Sequence, residues 1–273
     1  MQKSESPFFS IVTISYNQQE YLKDCIDSIL NQSFEDYEYI IQDPGSIDNS
    51  RDIIKSYKSH KLSYYFEKDD SPAQGLNKGF SKATGKYYLF LNSDDVLLED
   101  TLSILHQTIL NYPSYDVYSG GSEIINAKGE KLRETFSDNY NIHMAAYGHS
   151  IILQPSTTFK SSLFKSVGGF NENNICNWDG ELFFDFALKS AKFFKIKKML
   201  SQYRITNLTV TGSGKYKDLI SENNKKFYKK LYHKEINISY YLVSFFYRIK
   251  RKILNLDDTF NRIIYGKISN RKF

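Results

Sequence analysis

Four short apolar runs, each followed by a segment of helical period or a chain reversal, fill the first third of the chain, and this rhythm restricts the fold more than any other feature. Phe8-Phe9-Ser10-Ile11-Val12-Thr13-Ile14 is brief, apolar and partly β-branched, the pattern of a buried strand. Behind it Tyr21, Leu22, Cys25, Ile26, Ile29 and Leu30 recur at helical spacing, with Asn17 and Glu20 set as a capping box. Cys25 lies on that stripe and reads as a core residue. Tyr37 to Asp43 is a second strand, stopped by Pro44-Gly45, and Asp48 is placed to cap a helix reaching Lys58. Leu62 to Phe66 is a third strand. Ser71-Pro72 gives an N-cap followed by proline at the first helical position, for a helix to about Lys82, and Lys86 to Leu91 is the fourth strand. Strands separated by such helices imply an α/β fold with a doubly wound, mostly parallel sheet.

After Asn111-Tyr112-Pro113 the rhythm changes. Asp116 to Glu134 reads as strands around an Ala-Lys-Gly-Glu turn, and Asp179 to Ala191 as a helix. The chain therefore divides into a catalytic-sized unit over 1–224, with a nucleotide-type half (1–111) and a less regular half (112–224), and an extension over 225–273. Charge follows the same division. The extension carries 13 Lys or Arg against three acids, a net of +10, whereas the preceding 224 residues hold 23 basic and 28 acidic groups, a net of −5. A mildly acidic body argues against a general nucleic-acid surface and gives the basic segment a partner of its own. Tyr240 to Lys252 joins an aromatic-aliphatic run to a cationic cluster, which suits an interfacial helix on an anionic membrane; the alternative is a helix packed on the body or on a partner chain.

Two cysteines are too few for a disulfide framework, and the five histidines show no metal-ligand spacing. The start of the chain lacks the apolar core of a signal peptide, and no run approaches the roughly 18 apolar residues of a spanning helix. The expected location is cytoplasmic. His143 and His149 read as loop residues.

Ligands of an open parallel sheet sit beyond the carboxyl ends of its strands. Two acid-bearing turns fall there, Gln42-Asp43-Pro44-Gly45-Ser46 and Leu91-Asn92-Ser93-Asp94-Asp95. Adjacent carboxylates on one turn can hold a hard divalent cation whose other ligands are diphosphate oxygens and water. The alternative is that Asp94 or Asp95 caps the helix containing Leu102, Leu105 and Ile109.

Ser10-Ile11-Val12-Thr13-Ile14-Ser15-Tyr16-Asn17 resembles the opening strand of family 2 glycosyltransferases, which have the GT-A fold. In the same order, Asp43-Pro44-Gly45-Ser46-Ile47-Asp48 is similar to the family's second-strand turn, Gln74 to Gly79 with Ala83-Thr84-Gly85 to its "N-K-G … A-T-G" stretch, and Asn92-Ser93-Asp94-Asp95 to its DxD element. Gln154-Pro155-Ser156, Val167 to Phe170 and Trp178 to Leu182 resemble its acceptor-side segments. The resemblance implies metal-dependent, inverting transfer from a nucleoside-diphosphate sugar, taken as a UDP-sugar, to a glycan or lipid-linked glycan of a bacterial surface polysaccharide. It implies that Thr13, Ser15, Asp43, Gly45, Asn77 and Lys78 line the donor site and that Asp94 meets the ribose or sugar. Asp95 would bind Mn²⁺ or Mg²⁺, Asp179 would be the general base, and Trp178 and Gly169 would face the acceptor. Pro44 stands where many members place a second acid that reads the base, and Thr206 where many carry His. Gln74, three residues after Ser71, also fits a cap. The rival readings are a non-catalytic nucleotide-sugar-binding module of the same fold and a nucleotidyltransferase.

Overall fold

The computed structural model describes residues 6–206, 209–213 and 215–266. In chain order the elements are β1 (Phe9–Ile14), α1 (Leu22–Leu30), β2 (Tyr37–Gln42), α2 (Ser50–Ser56), β3 (Leu62–Tyr65), α3 (Pro72–Ser81), β4 (Tyr87–Phe90), β5 (Val96–Leu97) and α4 (Thr101–Asn111). There follow β6 (Val117–Ile125), β7 (Lys131–Phe136), α5 (Ile142–Ala146), β8 (Thr157–Lys160), α6 (Ser161–Val167), α7 (Trp178–Leu188), β9 (Phe193–Arg204), α8 (Val210–Ser213), α9 (Lys217–Tyr232), α10 (Ile238–Leu254) and α11 (Leu256–Tyr265).

One mixed sheet runs β3-β2-β1-β4-β8-β6-β9-β5, with β7 beside β6. The parallel pairing expected for the first half holds over β3-β2-β1-β4. Beyond β4 the sheet is mixed: β8 is antiparallel to β4 and β6, and β9 is parallel to β6 but antiparallel to β5. Side chains alternate across it. Phe9 and Ile11 of β1 and Leu89 of β4 join α1 and α4 in one apolar layer, while Val12, Tyr88 and Phe90 join α3, α6 and α7 in the other. Cys25 is fully buried in the first layer, as its place on the helical stripe requires.

Two helix starts were set by different forces. Ser71 caps α3 as the sequence predicts, accepting the Gln74 N–H at 3.2 Å, with Pro72 opening the helix. The capping box expected at Asn17 does not form. Asn17 takes a left-handed φ of 53° and its side chain accepts the Ile47 N–H at 2.9 Å, so α1 starts at Leu22 with no side-chain cap. A contact between loops 30 residues apart outcompetes the local cap. Helix α3 lies close on β1 because Gly79 faces Val12: a Cβ there would come within 2.5 Å of Val12 Cγ1.

The boundary drawn after Asn224 falls inside α9, a continuous helix. Phe227 stacks on Phe184 of α7 at 4.6 Å, so α9 belongs to the body by packing. Tyr240 of α10 stacks on Tyr147 at 5.0 Å, and α11 lies along β7, where Thr135 donates to Asp258 at 2.9 Å. The two histidines read as loop residues both meet this extension: His143 sits in α5 with Nδ1 2.8 Å from the Tyr232 hydroxyl, and His149 Nε2 is 2.9 Å from Ser244 Oγ. Residues 267–273 of the basic segment lie outside the described residues. No helix among the described residues is long and apolar enough to cross a membrane.

Candidate active site at the carboxyl ends of the strands

The turn after β2 is built around one carboxylate. Asp43 is fully buried; its Oδ1 accepts the N–H groups of Gly45 and Ser46 and Nε of Arg51, each at 2.9 Å, and its Oδ2 accepts the Ser46 hydroxyl at 2.5 Å. Arg51 in turn lies 4.7 Å over the Phe66 ring. These bonds satisfy the buried charge and fix the turn beside β1. Thr13 points its hydroxyl into the core, accepting from Tyr39 at 3.1 Å, with Cys25 Sγ 3.9 Å away. Ser15 is buried too, yet its hydroxyl has no partner among the described residues.

A third acid, Asp69 in the β3–α3 connection, joins this region. Burial pushes its carboxyl up to about 6, against the pull of the Lys78 ammonium and with the Asp43 charge adding to the rise. A Cβ on Gly75 would come within 2.7 Å of Asp69 Oδ2, so glycine makes room for it. The Lys78 amine donates to the Lys68 carbonyl. No motif in the sequence singles out Asp69.

The second acidic turn follows β4. Asp95 is fully buried, and its Oδ1 accepts the Arg204 N–H at 2.9 Å. Its Oδ2 is also buried and accepts no hydrogen bond from the described residues. Burial raises the Asp94 carboxyl, with the Arg204 charge opposing; burial raises Asp95 well above the ordinary range, with the neighbouring Asp94 adding to it. Arg204 spends its donors mostly on backbone: Nε on the Asp94 carbonyl at 2.8 Å, and NH1 on the carbonyls of Asn126 and Ala127 at 3.2 and 3.1 Å. It also lies 4.5 Å over the Tyr21 ring. Arg204 therefore frames the two acids without fully neutralising them. Its segment was noted in the sequence only for lacking a His, because a partner 109 residues away leaves no spacing signal.

Two raised, adjacent carboxylates with an orphaned buried oxygen fit a hard divalent cation, whose charge would let both ionise. Among the described residues no third His, Cys, Asp or Glu completes a cluster, so the remaining ligands would be substrate oxygens and water. The cap alternative for these acids is not what forms: α4 starts at Thr101, preceded by Asp100. Gln154 braces the same turn, donating to the Phe90 carbonyl and accepting from Asn92 at 3.2 Å.

The remaining predicted residues lie on the α3–α7 side. Asn77 brackets a loop: its Nδ2 donates to the Phe170 carbonyl and Glu172, and its Oδ1 accepts the Phe170 N–H, all within 2.9–3.0 Å. Gly169 has φ +83°, and a Cβ there would sit 2.7 Å from Asn77 Oδ1. Gln74 closes its cap one residue earlier than a capping box, accepting the Asp70 N–H at 2.8 Å. Trp178 is half-buried and packs on the apolar layer with Leu182 and Phe183. Asp179 stands in the first turn of α7, and burial raises its carboxyl above the ordinary range, opposed by the N–H groups of Gly180 and of its own residue.

The chain is similar to an uncharacterized glycosyltransferase of Rickettsia prowazekii, 29% identical over 238 residues, spanning 82% of this chain and 74% of that protein. Its fold is similar to Staphylococcus aureus TarS 1–349 in complex with UDP-GlcNAc (TM-score 0.67, 16% identity, covering 95% of this chain and 73% of that one). It is also similar to the mannosyltransferase PcManGT of Pyrobaculum calidifontis in complex with GDP-Man and Mn²⁺ (TM-score 0.63, 14% identity, 96% and 74% covered). The family model described as glycosyl transferase family 2 matches residues 10–166, more than half of the chain, and the protein belongs to that family.

Proposed function

We propose that the protein is an inverting, metal-dependent glycosyltransferase that moves a sugar from a nucleoside-diphosphate sugar, taken as a UDP-sugar, to a hydroxyl of a bacterial surface glycan or its lipid-linked precursor, on the cytoplasmic side of the membrane. The observation that carries the reading is the fully buried Asp95, its Oδ2 unpartnered among the described residues, beside the half-buried Asp94 at the carboxyl end of β4. Asp95, with Asp94 adding charge, would hold Mn²⁺ or Mg²⁺, which when bound neutralises the charge growing on the departing diphosphate. The turn held by Asp43 and the buried Ser15 hydroxyl, unpartnered among the described residues, would form the floor on which a nucleoside rests. Asp179 takes the proton of the acceptor hydroxyl as that oxygen attacks the anomeric carbon from the side opposite the leaving group, which inverts the centre. A carboxylate whose conjugate acid is weakened by burial is a better base near neutral pH than an exposed one.

Asp179→Asn tests the base. Asn keeps the shape, and since Asn177 holds the N-cap position of α7, the substitution loses only the attraction of a first-turn charge to the helix dipole, about 0.3–1 kcal/mol. The variant is expected to melt near wild type and to bind donor with metal normally, while transfer falls by roughly 10²–10⁴. Near-normal turnover per folded molecule would leave Asp179 a purely structural residue. Release of nucleoside diphosphate by the wild type separates the reading from its rivals: a nucleotidyltransferase releases pyrophosphate, and a binding module releases nothing.

A further inference from the structure

We propose that the outward face of α10 and α11 is a docking surface for an anionic lipid bilayer. The two helices are amphipathic in the reverse of the usual sense. Helix α10 turns Tyr240, Ser244 and Arg251 toward the body, where they meet Tyr147, His149 and Asp138. These positions share one helical face. On the opposite face Ile238, Leu242, Phe245, Ile249 and Ile253 form a stripe at helical spacing, each of them exposed and Phe245 58% so. Helix α11 repeats the pattern. Asp258 and Asn261 face β7, bonding Thr135 and the Glu134 N–H, while Leu256, Phe260, Ile263 and Ile264 point away, Ile263 being 72% exposed. A surface helix of a soluble protein buries its apolar stripe; here both helices bury the polar side and leave the apolar one to the outside.

Charge selects the occupant. Arg248, Lys250 and Lys252 flank the α10 stripe, and none is in an ion pair among the described residues, whereas Arg251 and Arg262 are turned inward onto Asp138 and Asp258. Helix α10 contains no acid, and of the two acids of α11 Asp258 is buried in the inward network. A second copy of the chain seated on this face would set cations against cations with almost no carboxylate to meet them. An anionic bilayer supplies both what the stripe requires, a hydrocarbon boundary, and what its rim requires, phosphate charge. Tyr241, Phe245 and Phe246 add the aromatic side chains favoured at that boundary.

The test uses the full chain and sedimentation with phosphatidylcholine vesicles made with and without phosphatidylglycerol. The wild type is expected to sediment with the anionic vesicles, less so as salt rises, and weakly with phosphatidylcholine alone. Replacing Arg248, Lys250 and Lys252 together by Gln should weaken partition by on the order of 10²-fold, about five-fold for each cation. Phe245→Ser with Ile249→Ser should weaken it at least roughly ten-fold. Both variants should melt with the wild type. A wild type that stays in the supernatant with anionic vesicles overturns the proposal. So does a variant that melts early, since its side chains then pack on the body, or a dimer in solution that Phe245→Ser with Ile249→Ser dissociates.

Discussion

Asp95 and Asp69 are both acids held above their ordinary range by burial, but their surroundings give them different consequences. Asp95 has an orphaned oxygen and an acidic neighbour, so the apo protein bears a cost that a cation removes. Asp95→Asn removes the same cost without the cation. The variant should melt no lower than wild type in the absence of metal, yet lose the metal-dependent part of the stabilisation by a UDP-sugar, about 2.7 kcal/mol for a ligand at ~100 times its Kd. A metal-dependent shift that survives the substitution would take Asp95 out of the site. Asp69 rises from 3.8 to about 6, so between those values the folded chain binds more protons than the unfolded one and stability falls as pH rises. Asp69→Asn should therefore melt above wild type at neutral pH, with the gap closing as the pH drops from about 6 to below 4. A gap that is constant with pH would show that the gain has another origin. Asp94 and Asp95 were legible in the sequence because adjacent acids follow an apolar run. Arg204 and Asp69 were not, because their roles come from burial and from contacts across the sheet.

At the scale of elements, what the sequence made plain was whatever is local: β1 to β4 from their apolar runs, and α3 from Ser71-Pro72. What it hid were contacts between loops, and Asn77 is the clearest case. Its motif placed it against the donor, while its side chain makes three bonds that tie α3 to the Phe170–Glu172 loop ahead of α7. These two roles separate in one experiment. Asn77→Ala strands the N–H and carbonyl of Phe170 in a partly buried place, and should cost about 1–3 kcal/mol in urea unfolding. As a bracket alone, Asn77 leaves donor affinity per folded molecule unchanged. If affinity falls by ten-fold or more while stability holds, the residue touches the donor.

For the whole molecule, composition separated a basic extension from an acidic body, but packing joins them. The joint is a buried charge network. Arg251 reaches from α10 to Asp138 at 2.7 Å and Asp258 at 3.5 Å, and Asp258 also pairs with Arg133 of β7 at 3.3 Å and Arg262 of α11 at 2.7 Å. Asn255, between the two helices, donates to Asp138 at 2.6 Å. Arg133, Asp138 and Asp258 are all nearly inaccessible. The sequence could not reveal this, because 113 residues separate Arg251 from Asp138 and nothing in a run of Lys and Arg marks the inward member. Removing one partner of a buried pair leaves an uncompensated charge, which ordinarily costs about 3–5 kcal/mol. Arg251→Ala should fall near the lower end, about 3 kcal/mol, since Asp138 keeps Asn255 and the Ile151 N–H and Asp258 keeps two arginines. The neighbouring Lys250→Ala, facing outward, should stay within about 0.5 kcal/mol of wild type. Urea unfolding followed by Trp178 fluorescence, which reports the body, and by far-UV circular dichroism, which reports helices everywhere, distinguishes one cooperative unit from two. If the network fuses extension and body, both probes shift together in Arg251→Ala. A shift seen by circular dichroism alone, with Trp178 unmoved, would mean that α10 and α11 come away first and that the body stands without them.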